Sequence, residues 1–133
     1  MLTHSLMIAA TALLAAAISA FAQQSSSGQG IGYPTVAAAL EALRGKSGAK
    51  FSIQGGWTIV EESASHTIWS FTPPNHPAHP AAVKRTIVEK DGAIYFQMNG
   101  LCQAKKPDCD KLLAEFEALN DRIRENLRRG ARP

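Results

Sequence analysis

The residues best placed to do chemistry stand in the stretch TPPNHPAHPAA, Thr72 to Ala82, where His76 and His79 alternate with Pro74, Pro77 and Pro80. Prolines at every third position match the repeat of a polyproline II helix, which sets the two imidazoles on a second edge about 9 Å apart. A metal ion needs each ligand nitrogen about 2 Å away, so that spacing makes shared coordination awkward. The expectation is a stiff arm that presents polar edges, with His76, His79, Pro74 and Pro77 as binding residues and no metal. Preformed segments of this kind suit aromatic-lined grooves, because little entropy remains to be lost. The same run also reads as a proline-stiffened crossover with no partner at all.

Other combinations are weaker. Ser65 and His66 resemble a nucleophile and its base, but neighbours in a strand point to opposite faces and cannot meet. Glu61 and Glu62 are adjacent in the same way, which argues against paired-carboxylate hydrolysis and for a solvated strand end. Neither a glycine-rich phosphate loop before a helix nor a metalloprotease signature is present in the sequence. No cofactor is implied.

The compartment follows from the other end of the chain. MLTHSLMIAATALLAAAISAFA carries an apolar run from Leu6 to Ile18 and closes on Ala20-Phe21-Ala22, an A-x-A cleavage site. Residues 1–22 therefore read as a secretory signal peptide, although no Lys or Arg precedes the apolar run. Export leaves a soluble, periplasmic or secreted mature chain with no later membrane span. Cys102 and Cys109 are the two cysteines of the chain, and an oxidising compartment favours their pairing as a disulfide. A Cys-x6-Cys metal or redox pair lacks both the tight spacing and the further ligands such sites use.

Charge adds little. Fourteen Lys and Arg stand against eleven Asp and Glu, a net charge of +3. Arg122, Arg124, Arg128, Arg129 and Arg132 crowd the C-terminal segment, where cations are favoured by the helix dipole. An exported protein meets little nucleic acid, so an envelope protein or an anionic surface is the partner this patch fits.

These residues need a scaffold, and the chain spells one out. QQSSSGQGIG, residues 23–32, offers almost nothing to bury and reads as a flexible leader. A single domain then fills residues 33–133. YPTVAAALEALRGKSG opens at Pro34 or Thr35, places Val36, Leu40 and Leu43 at helical spacing and closes at Gly45. Five strand-like runs follow: KFSIQ, WTIVE, HTIWSFT, AVKRTIVEK and AIYFQMNGL. Gly55-Gly56 and Asp91-Gly92 make two-residue hairpins, since both central positions require positive φ. Thr67, Trp69 and Phe71 share one strand face, and Ile94, Phe96 and Met98 share another. In PDCDKLLAEFEALNDRIRENLRRG, Asp108 can cap a helix, Asp110 supports its positive end, and Leu112, Phe116, Leu119, Ile123 and Leu127 form an apolar stripe. The predicted fold is α+β: an antiparallel sheet of four to five strands with an N-terminal helix and a longer C-terminal helix on one face.

WSFTPPNHPAHPAAVKRT, the YPTVAAALEALR opening and the C…CD start of the last helix resemble small exported proteins of Gram-negative bacteria that carry no assigned activity. The resemblance covers most of the mature chain. It implies an envelope or secreted location and transfers no site residue. The expected function is thus a non-enzymatic exported binding or accessory protein. A weak metal-handling protein using His76, His79 and perhaps His66 is the second reading, and a small envelope hydrolase the third.

Overall fold

A computed structural model of the protein describes residues 30–130. The signal peptide, the leader as far as Gln29 and Arg132 lie outside the described residues. The first helix, α1 (Val36–Arg44), starts where Thr35 Oγ1 accepts the Ala38 N–H at 3.0 Å, an N-cap that satisfies one of the orphan amides of the first turn. Five strands follow, β1 (Ala49–Gln54), β2 (Trp57–Glu62), β3 (Thr67–Phe71), β4 (Ala81–Lys90) and β5 (Ala93–Cys102), and then α2 (Lys106–Gly130). Each strand pairs antiparallel with the next, so the sheet is a meander in the order β1-β2-β3-β4-β5. The α+β class, the antiparallel sheet and the two helices are those the sequence predicts.

Both hairpins form as predicted. Gly55 and Gly56 have φ of 57° and 84°, and Asp91 and Gly92 have φ of 52° and 75°. Positive φ at both central residues matches the twist of the flanking strands and fixes the pairs Gln54↔Trp57 and Lys90↔Ala93.

The helices do not share a face of the sheet. Val36, Ala39 and Leu43 of α1 bury against Val60, Trp69, Phe71 and Ala82. Leu112 of α2 buries with Ala81, Val83 and Ala78, supported by Met98, Cys102 and Phe116. Alternation along β4 separates the two cores, since Ala81 and Val83 point away from Ala82. Register completes the separation: Phe71 lies across from Ala82, and Ala82 from Leu101, so Trp69 and Phe71 face α1 whereas Phe96 and Met98 face α2. The uninterrupted Ala81-Ala82-Val83 run is the mark of a strand covered on both sides.

Two boundaries also move. Ile31 is 1% exposed within the α1 core, so the ordered domain already includes the last residues assigned to the leader. α2 begins at Lys106 rather than at Asp108, because a proline such as Pro107 is tolerated in the first turn, and Asp108 supports that turn from inside it. The bond between Cys102 and Cys109, with Cα atoms 5.7 Å apart, joins the end of β5 to that turn.

Candidate functional site

Thr72 to Pro80, between β3 and β4, does not form a polyproline arm. His76 N–H donates to the Pro73 carbonyl and His79 N–H to the His76 carbonyl, both at 3.0 Å, which makes two successive turns. Pro74 and Pro77 occupy the second position of each, where a φ fixed near −65° is what the turn requires. The three-residue proline period therefore serves a folded knuckle. Ala78, fully buried, plugs it into the α2 core.

Each histidine has a fixed role in this knuckle. His76 is half-buried, its ring 5.1 Å from that of Trp57 in an edge-on contact, and Trp57 in turn meets Phe116 of α2 at 5.8 Å. His76 Nδ1 accepts the Ala78 N–H at 3.0 Å, so its free nitrogen is Nε2. His79 Nδ1 lies 3.0 Å from Thr72 Oγ1 and 3.1 Å from the Thr72 carbonyl. A carbonyl can only accept, so Nδ1 carries the hydrogen toward Thr72. Pro74, Asn75, Pro77 and His79 are the exposed residues of the loop.

This geometry decides what the loop can do. Thr72 Oγ1 also accepts the Ala81 N–H at 3.0 Å and reaches the Ala81 carbonyl at 3.3 Å, and Thr72 is buried. With His79 donating toward it, Thr72 is a braced hydroxyl and not an activated nucleophile. The Nδ1 atoms of His76 and His79 are both engaged, and among the described residues no three His, Cys, Asp or Glu side chains lie close enough to hold a metal ion. Ser65 and His66 are not a pair either. Ser65 Oγ bonds to Thr67 Oγ1 at 3.0 Å, while His66 turns away in the left-handed conformation that ends the short 3-10 turn Ser63–Ser65.

Two charged side chains escaped the sequence reading. Glu62 is not a solvated strand end. It is 8% exposed on the α1 face, where its carboxylate accepts the Trp69 indole N–H at 2.7 Å and pairs with Lys46. Burial alone would raise its pKa, but the Lys46 ammonium and the indole N–H outweigh burial and hold the carboxyl below its ordinary value. Trp69 itself was the available signal, since a buried indole N–H requires an acceptor. On the opposite face Arg85, 8% exposed, donates to Asn120 Oδ1 at 3.2 Å and lies 5.2 Å from the Phe116 ring and 5.9 Å from that of Phe96. Among the described residues its Nε has no hydrogen-bond partner, and burial lowers its pKa from the usual guanidinium range.

Far from the knuckle, the β4-β5 hairpin and the last turns of α2 enclose a cleft of about 640 Å³. Ile94 and Leu127 contribute its apolar lining, and Asp121, Arg124, Glu125 and Arg128 its charged rim. Part of the expected basic patch is paired within α2, where two carboxylates, Asp121 and Glu125, stand against four arginines between residues 121 and 130. Arg124 pairs with Asp121, and both Arg128 and Arg129 pair with Glu125. Comparison with protein-family models, curated proteins and solved structures gives no match.

Proposed function

We propose that the protein is an exported, non-enzymatic binding domain that meets an envelope partner through the Thr72–Pro80 knuckle. One observation carries this reading: the knuckle is fixed by two turns, a buried alanine and two engaged imidazoles, yet it turns Pro74, Asn75, Pro77 and His79 to solvent. A surface already held in one shape loses little entropy on binding, which is what a recognition loop needs. The Cys102–Cys109 bond supports export, since such bonds persist in oxidising compartments. Among the described residues no helix is long and apolar enough to cross a membrane.

The test uses the mature chain as bait in envelope extract beside the variant Asn75→Arg. The side chain is exposed and the turn prolines are left in place, so the melting temperature should stay within a few degrees while capture of the partner is lost. Capture undiminished by the arginine would move recognition elsewhere on the domain. Intact mass of the exported protein should begin at Gln23 and show no free thiol.

A further inference from the structure

The β4-β5 hairpin and the last turns of α2 meet at the cleft. α2 lies over β5 and runs back along it, tied to it at Cys102–Cys109 and facing Ala93 to Tyr95 across the cleft at the other end. The helix and a margin of the sheet therefore sit side by side. β5 is the last strand of the sheet among the described residues, ten residues long, and AIYFQMNGLC contains neither a charge nor a proline. Edge strands are ordinarily guarded by such residues, and the other edge, β1, carries Lys50. Among the exposed large hydrophobic side chains of the described residues, Leu127 belongs to the end of α2 and Ile87 to the hairpin face on the α2 side, whereas strand alternation sets Val88 and Tyr95 on the other face.

The helix rim identifies the occupant. Asp121, Arg124, Glu125 and Arg128 stand at i, i+3, i+4 and i+7, one stripe with signs alternating minus, plus, minus, plus. Reversed, the same stripe reads plus, minus, plus, minus. A second α2 laid antiparallel and centred between Arg124 and Glu125 sets Arg128 opposite Asp121 and Arg124 opposite Glu125, each pair occurring twice. A parallel copy would set like against like. The four-residue stripe is balanced in sign and complementary to its own reverse, with Arg122 and Arg129 beside it.

We infer that this margin, made of Asp121, Arg124, Glu125 and Arg128 on α2 with the Ala93–Gln97 half of β5, is a twofold interface for a second copy of the chain. An isologous contact of this kind uses the same patch on both protomers and closes without leaving a sticky surface. The inference stands apart from recognition at the knuckle, which lies at the other end of α2.

Sedimentation equilibrium of the mature chain tests it, over roughly 10 µM to 1 mM, the range in which modest interfaces populate. The wild type should shift from monomer to dimer. D121R/E125R makes the stripe wholly positive and R124E/R128E makes it wholly negative, so each variant alone should remain monomeric at the highest concentration. An equimolar mixture should restore the dimer as a heterodimer. The full reversal D121R/R124E/E125R/R128E keeps the alternation and should dimerise like the wild type, which also shows that the substitutions leave the fold intact. A monomeric wild type, dimers of a single-sign variant, or a mixture that stays monomeric would each overturn the interface. So would a monomer that co-sediments with anionic lipid vesicles, an outcome that assigns the patch to a membrane surface.

Discussion

The two ends of the α2 face are built on opposite terms. At the knuckle, polar groups are spent on the protein itself: Thr72, His76 and His79 bond to backbone or to one another, and Ala78 and Trp57 close the gap to α2. At the hairpin, α2 keeps the same heptad-like pattern, but the sheet beneath it narrows to two strands and Leu127 is left 46% exposed. The difference teaches that the helix stripe does not report burial uniformly. Leu112 and Leu127 look alike in sequence, yet the first is 2% exposed because β4, β5 and the knuckle converge beneath it.

The largest contrast should come from those two leucines. Leu112→Asp puts a carboxylate into the core between α2 and the sheet and should cost more than about 4 kcal/mol, enough to unfold the domain. Leu127→Asp should cost less than about 1 kcal/mol at a concentration where the protein is monomeric. Thermal melts of the two variants compare them directly, and equal losses would break the distinction between the ends.

Replacing Cys102 and Cys109 with serine should come next. The closed loop is short, so the chain-entropy account gives about 2 to 3 kcal/mol, read as a lower urea midpoint. Because Cys102 packs with Ala78, the loss should also loosen the knuckle, visible as a change in Trp57 fluorescence. An altered midpoint with unaltered fluorescence would separate the staple from the loop.

His76→Ala removes a ring edge from Trp57 and leaves the Ala78 amide without its acceptor, an expected loss of about 1 to 2 kcal/mol. Tyr95→Ala on the exposed hairpin should cost less than about 0.5 kcal/mol. Chemical denaturation of both variants sharpens the comparison at the level of single side chains.

The smallest effect concerns pH. The Glu62 carboxyl is held below its ordinary value in the folded protein, so its contribution is fully present above the unfolded value of about 4.3 and disappears as pH falls through the lower folded value. Acid titration of stability should show that loss in the wild type, and Glu62→Gln should flatten it. The sheet face opposite α2 would then carry this loss at acid pH.

Much of this was legible in the sequence. Gly-Gly and Asp-Gly set both hairpins through their positive φ, and strand alternation with a helical stripe gave the α+β class. Whether the helices share a face depended on the register of β3, β4 and β5, which no single strand encodes. Pro74 and Pro77 were ambiguous because a three-residue period fits a polyproline helix and consecutive turns equally well, and the turn hydrogen bonds with the burial of Ala78, just after Pro77, distinguish the two. Glu62 and Arg85 were missed because a charge in an alternating strand reads as solvent-facing until its partners, Trp69 and Lys46 or Asn120 and Phe116, are brought to it from elsewhere in the chain.

Amide hydrogen exchange, residue by residue at a concentration that keeps the mature protein monomeric, tests the central claim that the knuckle is the preformed surface and the hairpin end the open one. The amides of His76, Ala78 and His79, each a donor within the loop, should be strongly protected, with opening energies approaching those of β3 and β4, while amides around Asp91 and Gly92 should exchange freely. Rapid exchange at His76, Ala78 and His79, equal to that at the hairpin tip, would contradict it.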